Sequence, residues 1–280
     1  IKVFQWNGID TWEPLGGTTG NIGGGWFSCA LSDDGTIFVV GVWQENFAKV
    51  FQWNGIDTWE QLAHVTGSGR FGWSVSLSGD GSVFAVGAPT YSTNAPTNCG
   101  RITVYDRSGS SYSSSSYIQG LNSAQFAGYS LDMNSDGTII AVGCDVPEGE
   151  DGSTPSGWDR AVRIYKRSSP SYSSADANGQ TAVVGWEEIG VIAGEANSIT
   201  IAGGADGAAG STVAFGSFAN YWDSHYPSSK FAKVYRYDGS SWTEMAHITN
   251  ATGSNLGESI SLNYNGKVLA IAGYQCKSGD

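Results

Sequence analysis

The sequence has few of the residues that carry most enzyme and metal chemistry. Its 280 residues include only three histidines and four cysteines, and no two cysteines stand as Cys-x-x-Cys. A structural zinc site needs a cluster of these residue types, so none is expected. The chain also lacks a Gly-x-Ser-x-Gly elbow, a His-Glu-x-x-His motif and a glycine-rich phosphate loop, which are common signatures of hydrolases, metalloproteases and nucleotide-binding enzymes. These absences argue against an enzyme.

Charge and long hydrophobic runs are scarce as well. Charged residues make up 14% of the chain, with 26 acidic against 14 basic side chains and a formal net charge of −12. Because lysine and arginine form no cluster, nucleic acid and anionic membrane surfaces are not expected as partners. No apolar run approaches the roughly 20 residues that span a bilayer as a helix, so membrane insertion is not expected either.

The sequence is rich in glycine (40 residues), serine, tryptophan (11) and tyrosine (13). Residues 71–89 show how these residues are arranged. Large apolar residues alternate with serines up to Leu77, which predicts a strand with unlike faces. The Gly-Asp-Gly at 79–81 suits a tight turn, and the apolar run 83–86 suits a buried strand. We designate these two strands A and B.

A second kind of hairpin is repeated without change. Residues 2–13 read KVFQWNGIDTWE, and residues 49–60 carry the same letters 47 positions later. They predict two strands, C and D, around an Asn-Gly turn, and degenerate C strands recur at 102–105, 162–165 and 234–237. The A–B hairpin recurs too, so that the chain holds five hairpins of each kind. A period in this range, without helical periodicity, predicts a β-propeller with four strands in each blade.

The predicted fold is all-β: a five-bladed β-propeller of four-stranded antiparallel blades, in a single domain spanning residues 1–280. The predicted blades are residues 24–64, 71–121, 126–192, 197–249, and 255–280 together with 1–16. In this interpretation the N-terminal C and D strands complete the C-terminal blade, which closes the ring and removes two exposed sheet edges. The alternative is that the five repeats are part of a longer propeller.

Phe71-Gly72, followed by Gly87-Ala88-Pro89, resembles the FG-GAP repeat of the propeller heads of integrin α chains. The resemblance to FG-GAP-type repeat proteins, which are commonly extracellular, covers nearly the whole chain. It is interrupted at 203–207, which replaces the usual turn, and at 41–43, which replaces Gly-Ala-Pro. The resemblance implies an extracellular or cell-surface protein that binds or adheres to a partner.

Integrin-type repeats often bind calcium in a carboxylate-rich A–B loop. Here the corresponding turns are short and mostly carry a single carboxylate (Asp80, Asp136 or Asp206), and only Asp33-Asp34 provides two. Since calcium takes about six to eight oxygen ligands, we expect plain hairpin turns at these positions.

The B–C loops differ most between the repeats, and they leave the blades at the same face as the D–A loops. Function concentrates on loops that a rigid scaffold presents. The predicted binding residues are aromatic side chains of these loops: Trp43, Tyr91, Trp158, Tyr221, Trp222, Tyr226 and Tyr274. Tryptophan and tyrosine are enriched in binding hot spots. The alternative is that these rings fold back over the seams between blades.

The tryptophans within the strands recur with the repeat, and we predict that they pack between blades: Trp6, Trp12, Trp53, Trp59, Trp186 and Trp242. The serine-rich stretches 108–116 and 168–174 are predicted to lie in C–D turns at the opposite face. These stretches are flexible or O-glycosylated in this interpretation.

One loop combines carboxylates at a density that suits a hard cation. Asp145, Glu148, Glu150 and Asp151 are predicted as oxygen ligands that could hold calcium as a cofactor. The alternative is a solvated acidic loop. No other cofactor is expected.

Two covalent features are also predicted. Asn250 begins an Asn-Ala-Thr sequon for N-glycosylation. The predicted disulfides join Cys99 to Cys144 and Cys29 to Cys276. The alternative is that all four cysteines are buried thiols.

The favoured function is a non-catalytic extracellular binding, adhesion or assembly module whose loop face holds a protein or a glycan. The alternatives are a lectin, a structural subunit of a fibre or large complex that packs against copies of itself, and a propeller enzyme. An enzyme needs acid–base groups at the channel mouth, and the predicted channel-facing residues are mostly small: Ser74, Ser76, Ser130, Asp132, Thr200, Ser259 and Ser261.

Overall fold

The structure, a computed structural model, describes residues 1–17, 22–25, 27–93, 97–121, 125–144, 161–169, 173–175, 181–194, 196–203, 211–217, 231–249 and 255–274. Regular secondary structure in these residues consists of 22 β-strands. Within the same ranges, no helix is long and apolar enough to cross a membrane.

The strands follow one another as antiparallel hairpins. An N-terminal hairpin is formed by β1 (Phe4–Trp6) and β2 (Trp12–Pro14), and blade 1 by β3 (Phe27–Leu31), β4 (Ile37–Val42), β5 (Phe47–Trp53) and β6 (Trp59–Thr66). Blade 2 contains β7 (Ser74–Leu77), β8 (Val83–Ala88), β9 (Arg101–Ser108) and β10 (Ser111–Gln119). Blade 3 contains β11 (Ala127–Met133), β12 (Ile139–Cys144) and β13 (Ala161–Arg167), then, after β14 (Ser173–Ala175) and β15 (Thr181–Val184), β16 (Trp186–Ala193). Blade 4 contains β17 (Ser198–Ala202), β18 (Thr212–Ser217), β19 (Phe231–Tyr237) and β20 (Trp242–Thr249), and a last hairpin contains β21 (Asn255–Leu262) and β22 (Leu269–Tyr274).

Blades 1, 3 and 4 are four-stranded sheets in the predicted order A-B-C-D. In blade 1, Val39 of β4 lies opposite Val50 of β5. The B strands β4, β8, β12 and β18 are buried along their whole length. Their continuous apolar sequence fits this position, because a strand inside a covered sheet has no solvent face.

In blades 1 and 2 the A–B hairpin closes through a turn whose carboxylate accepts hydrogen bonds from the turn itself. In blade 2, Asp80 Oδ1 accepts hydrogen bonds from the Ser82 N–H at 2.9 Å and the Ser78 hydroxyl at 2.8 Å. Gly81 has a φ of 69°, in the left-handed region that favours glycine. Asp34 accepts the equivalent N–H bond from residue 36 at 2.9 Å, and these bonds lower the pKa of the Asp34 carboxyl. The carboxylates therefore act as caps of tight turns.

The glycines of the FG and GAP segments meet across the seams between blades. A Cβ on Gly87 of β8 would lie 2.4 Å from the carbonyl oxygen of Gly128 in blade 3. Ser74 donates a hydrogen bond to the same carbonyl at 2.7 Å. The same close approach recurs between Gly41 and Gly72 and between Gly216 and Gly257. The repeat motif thus supplies the contact between successive blades.

The hydrophobic core lies in the seams. One cluster joins blades 1 and 2 through Val39, Val50, Leu77 and Phe84, among others. Further clusters join blade 2 to blade 3, blade 3 to blade 4, and blade 4 to the β21–β22 hairpin. Successive blades are therefore packed face to face, which is the arrangement of a propeller.

Blade 2 departs from the four-stranded prediction. β15 pairs with its outer strand β10, with Tyr117 opposite Val184, and β14 adds a sixth strand. Both added strands belong to the C–D connection of blade 3. The prediction that 108–116 and 168–174 lie in C–D turns is wrong at 111–116, which belong to β10, and at 173–174, which belong to β14. The buried Ala182 and Val183 hold the blade 3 connection against the core between blades 2 and 3.

The fifth unit is divided. β1 pairs with β2 and β21 pairs with β22, as two separate sheets, and no pairing joins β22 to β1 in the described residues. The β21–β22 hairpin packs on blade 4, whereas the N-terminal hairpin packs on blade 1, where Trp59 Nε1 donates to the Leu15 carbonyl at 2.9 Å. The blade count of five is therefore not confirmed.

Candidate functional site

The loop face, from which the B–C and D–A loops leave, is well defined around blade 1. The B–C turn at 43–46 ends at Asn46, whose φ of 57° is left-handed. Its side-chain Oδ1 accepts the Phe71 N–H at 3.1 Å, and its carbonyl accepts the Gly67 N–H at 3.0 Å. Asn46 thus ties the B–C turn of blade 1 to the loop that enters blade 2, and this fixes Trp43 beside Trp73.

Three aromatic rings from three blades form a continuous row on this face. The ring centroids of Trp43 and Trp73 are 5.1 Å apart with the planes tilted by 45°, and those of Trp73 and Tyr129 are 5.2 Å apart with a tilt of 43°. All three side chains are half-buried. We call Trp43, Trp73 and Tyr129 the aromatic row. It combines large apolar area with fixed orientation, as binding hot spots do.

Arg70 lies over the first two rings of the row. Its guanidinium carbon is 5.3 Å from the ring centroid of Trp43 and 5.5 Å from that of Trp73, within the range of cation–π attraction. The backbone of Arg70 has a φ of 61°, a conformation that is uncommon for residues other than glycine. The carbonyl of Arg70 accepts the Trp73 N–H at 3.1 Å, and this bond holds the turn.

The sequence analysis identified only Trp43 among these residues. Trp73 and Tyr129 occupy the same place in each repeat, directly before the first serine of strand A. The residues at this position in the five units are Phe27, Trp73, Tyr129, Asn197 and Glu258. The signal was therefore present in the sequence: three successive units carry an aromatic residue at this position, and the other two carry a polar one.

Tyr91, a second predicted binding residue, has a structural contact. The guanidinium carbon of Arg101 lies 4.2 Å from the Tyr91 ring centroid and 4.3 Å from that of Tyr117. Arg101 also donates to Gln119 Oε1 at 2.7 Å. The Tyr91 ring is thus packed over the blade, as the alternative in the sequence analysis expected of such rings.

Most of the other predicted site residues lie outside the part of the chain that the structure describes. The binding candidates Trp158, Tyr221, Trp222 and Tyr226, the metal candidates Asp145, Glu148, Glu150 and Asp151, and Asn250 and Cys276 lie outside the described residues. Tyr274 ends β22, and only its backbone is described. In the part of the chain that is described, no three His, Cys, Asp or Glu side chains are grouped as metal ligands would be.

The predicted disulfide between Cys99 and Cys144 is not supported. No disulfide joins any two of the described cysteines Cys29, Cys99 and Cys144. Ala127 separates the predicted pair: its N–H bonds to the Cys99 carbonyl at 3.0 Å, and it lies opposite Cys144 in the β11–β12 ladder. A strand of backbone therefore lies between the two cysteines. Cys29 is exposed on β3.

At the opposite face, the A–B hairpins of all five units surround one opening. A cavity of about 440 Å³ is lined by a residue or more from each turn, including Asp34, Asp80, Asp136, Gly203 and Tyr264. The turns of blades 1 to 3 are linked, since the Asp33 N–H donates to the Gly79 carbonyl at 2.8 Å and the Ser135 hydroxyl donates to Asp33 Oδ2 at 2.7 Å. Residues of all five A–B hairpins thus line one cavity.

One predicted channel residue, Asp132, holds three blades together. Its Oδ1 accepts the Ser76 hydroxyl of β7 at 2.9 Å, and its Oδ2 accepts the Ile201 N–H of β17 at 2.9 Å. Burial raises the pKa of the Asp132 carboxyl, and the hydrogen bonds that it accepts offset part of this change. The acceptor oxygens of Asp132 are therefore used in contacts between blades.

The comparisons with known proteins concern the fold. No family model matches the chain, and no curated protein matches it. Among solved structures, the chain is similar to the crystal structure of Sqt1 from Saccharomyces cerevisiae, a WD40 β-propeller protein, with a TM-score of 0.52 and 13% identity over 87% of this chain. The match spans 56% of the yeast chain, just over half of its length. A likeness at this identity shows the β-propeller fold alone.

Proposed function

We propose that this protein is a non-catalytic binding and assembly module whose partner protein docks on the aromatic row. The supporting observation is that three half-buried rings from three successive blades are in mutual contact on the loop face. The positions of Trp43 and Trp73 are set by hydrogen bonds to the Asn46 side chain and carbonyl and to the Arg70 carbonyl. Such preorganised aromatic area binds without the entropic cost of ordering flexible side chains.

Paired substitutions test this role. In the variant Trp73→Ala with Tyr129→Ala, the partner captured from a homogenate by the immobilised protein is expected to be lost. The matched control is Tyr264→Ala, which removes an aromatic ring that is 74% exposed at the opposite face, and capture is expected to persist. Loss in both variants, or in neither, contradicts the proposal. If the intact protein binds glycans on a panel and captures no protein, the result favours a lectin over the proposed function.

We also propose that the fold is a five-bladed ring of FG-GAP-type repeats in which β1 pairs with β22. Two observations support this. One cavity is lined by residues of all five A–B hairpins. The bond from Trp59 to Leu15, between blade 1 and the N-terminal hairpin, resembles the bond from Trp186 Nε1 to Ser116 Oγ at 2.8 Å between blades 3 and 2. The N-terminal hairpin therefore relates to blade 1 as one blade relates to the next.

A disulfide trap tests the closure. In blade 1, Phe38 lies opposite Phe51, and the repeat alignment places Ala270 opposite Phe4 in the same way. Phe4→Cys combined with Ala270→Cys is expected to form an intramolecular disulfide on mild oxidation, detected by peptide mass spectrometry. The control combines Phe4→Cys with Ile271→Cys, whose side chain points to the other face of the sheet. Equal cross-linking of both variants, or cross-links only between molecules, contradicts the closure.

The extracellular location, the glycan at Asn250 and calcium at 145–151 remain proposals that derive from the sequence. Repeating the capture experiment with EDTA distinguishes binding through calcium in the acidic loop from binding on the aromatic row. Capture that is lost on chelation assigns the role to the acidic loop, and capture that persists assigns it to the aromatic row.

A further inference from the structure

We infer that the partner segment docking on the aromatic row presents an arginine side chain, and that Arg70 occupies the place of this guanidinium in the free protein. The inference rests on the proposed function and specifies the chemistry of the partner. In the free protein the guanidinium of Arg70 lies over Trp43 and Trp73 at 5.3 and 5.5 Å. The residue is nevertheless exposed. The rings are therefore covered by a side chain that can leave without opening the core.

A second arginine on the same blade shows what a permanent contact looks like. Arg101 is half-buried, stacks between Tyr91 and Tyr117 at 4.2 and 4.3 Å, and donates to Gln119. It is enclosed on two sides and hydrogen-bonded. Arg70 has longer ring distances, greater exposure and a left-handed backbone. Trp43 and Trp73 thus contact a guanidinium group that the guanidinium group of a partner can replace.

Charge favours a cationic partner over a neutral one. The chain has a net charge of −12, and an excess of one sign attracts ligands of the other sign at long range. One carboxylate beside the row is exposed, that of Glu45 in the turn that follows Trp43. Arginine is preferred to lysine because its planar guanidinium stacks on aromatic faces.

The experiment compares two cationic peptides of equal charge. Nine-residue oligo-arginine and oligo-lysine are titrated against the full chain at constant ionic strength, and dissociation constants are measured by calorimetry. Oligo-arginine is expected to bind at least about 3-fold more tightly, since the cation–π contact is available to the stacking cation. In Arg70→Gln the preference is expected to widen by about a further 3-fold, because the rings are no longer covered. In Trp73→Leu the preference is expected to vanish.

The control is Lys267→Gln, an equal change of charge at an exposed position of the β21–β22 turn on the opposite face. It is expected to alter the binding of both peptides alike. Equal affinity of the two peptides for the intact protein overturns the inference, as does an equal response of Arg70→Gln and Lys267→Gln. Should Trp73→Leu fail to fold, Trp43→Leu takes its place. Partner capture that still depends on Trp73 and Tyr129, without any preference for arginine, leaves the proposed function standing and removes only this inference.

Discussion

The chain contains the same twelve residues twice, at 2–13 and 49–60, and the two copies separate local from tertiary effects. In both, the turn asparagine accepts a backbone N–H from two residues further on at 2.9 Å, with Asn7 and Asn54 as acceptors. The two tryptophans of each copy lie 5.9 and 5.5 Å apart. The sequence of the hairpin alone is therefore sufficient for its turn and its ring contact.

Burial differs sharply between the copies. Phe4 is 47% exposed and Trp12 64%, whereas their counterparts Phe51 and Trp59 are 5% and 7% exposed. The second copy is paired with β4 and covered by the seam to the N-terminal hairpin. The first copy has no strand beside it in the described residues. The neighbouring strands therefore determine how far each copy is buried. Substitutions at matched positions of the two copies measure how much these neighbours contribute to the free energy of unfolding.

The largest contrast is expected at the phenylalanines. Phe51→Ala removes a ring stacked on Phe38 at 5.0 Å, and the free energy of unfolding is expected to fall by about 3–5 kcal/mol. Phe4→Ala is expected to cost less than half as much, since even in a closed ring its cross-strand neighbour is the small Ala270. Urea denaturation of both variants measures the difference. If the two variants lower the free energy of unfolding equally, the burial difference is contradicted and Phe4 is as fully covered as Phe51.

A smaller contrast is expected at the tryptophans. Trp59→Phe removes the donor to the Leu15 carbonyl and is expected to cost about 1–3 kcal/mol because the carbonyl is left unsatisfied. Trp12→Phe is expected to cost under about 0.5 kcal/mol, as exposed positions do.

Trp242→Phe is the matched control for the lost hydrogen bond. The indole N–H of Trp242 has no hydrogen-bond partner in the described residues, and its ring lies against Gly190, where a side-chain acceptor cannot fit. Its substitution is expected to be nearly neutral in thermal denaturation. If Trp242→Phe destabilises the protein as much as Trp59→Phe does, the lost hydrogen bond is not the cause of the destabilisation by Trp59→Phe.

The turn asparagines test the local part of the comparison. Asn54→Ala removes three backbone bonds and is expected to destabilise the protein by about 1 kcal/mol. Asn7→Ala removes the same bonds, so the exchange of the turn amides is expected to increase equally in both. Hydrogen exchange on peptides that extend to Leu15 or Gln61 distinguishes the copies. Unequal local exchange contradicts a turn determined by its own sequence.

Repetition made most of the fold predictable. The turn at Asp80 and the close approach of Gly87 to Gly128 follow from residues that recur in each unit. Features that occur in only one unit were not predicted from the sequence. β15, with its short apolar run at 181–184, lies in a connection that only blade 3 has, and its partner β10 is more than sixty residues away along the chain.

The candidate site was found only in part, for a related reason. Trp73 has the period of a strand, and this pattern obscured its position at the loop face. The prediction that strand tryptophans pack between blades is confirmed for Trp59 and Trp186, and it is wrong for Trp6 and Trp12. A repeat pattern specifies what a residue can contact, whereas the actual contact depends on whether the next strand is in place.

The smallest effect is expected at the tips of the two hairpins, where the copies agree in burial as well as sequence. Ile9 and Ile56 are each 81% exposed. Ile9→Ser and Ile56→Ser are therefore expected to change the free energy of unfolding equally, by less than about 0.5 kcal/mol. Urea denaturation measures both. If only Ile56→Ser lowers the free energy of unfolding, a neighbour covers its hairpin tip and the two copies differ even at the turn. If both variants lower it, a second molecule buries both tips, and the free energy of unfolding then depends on protein concentration.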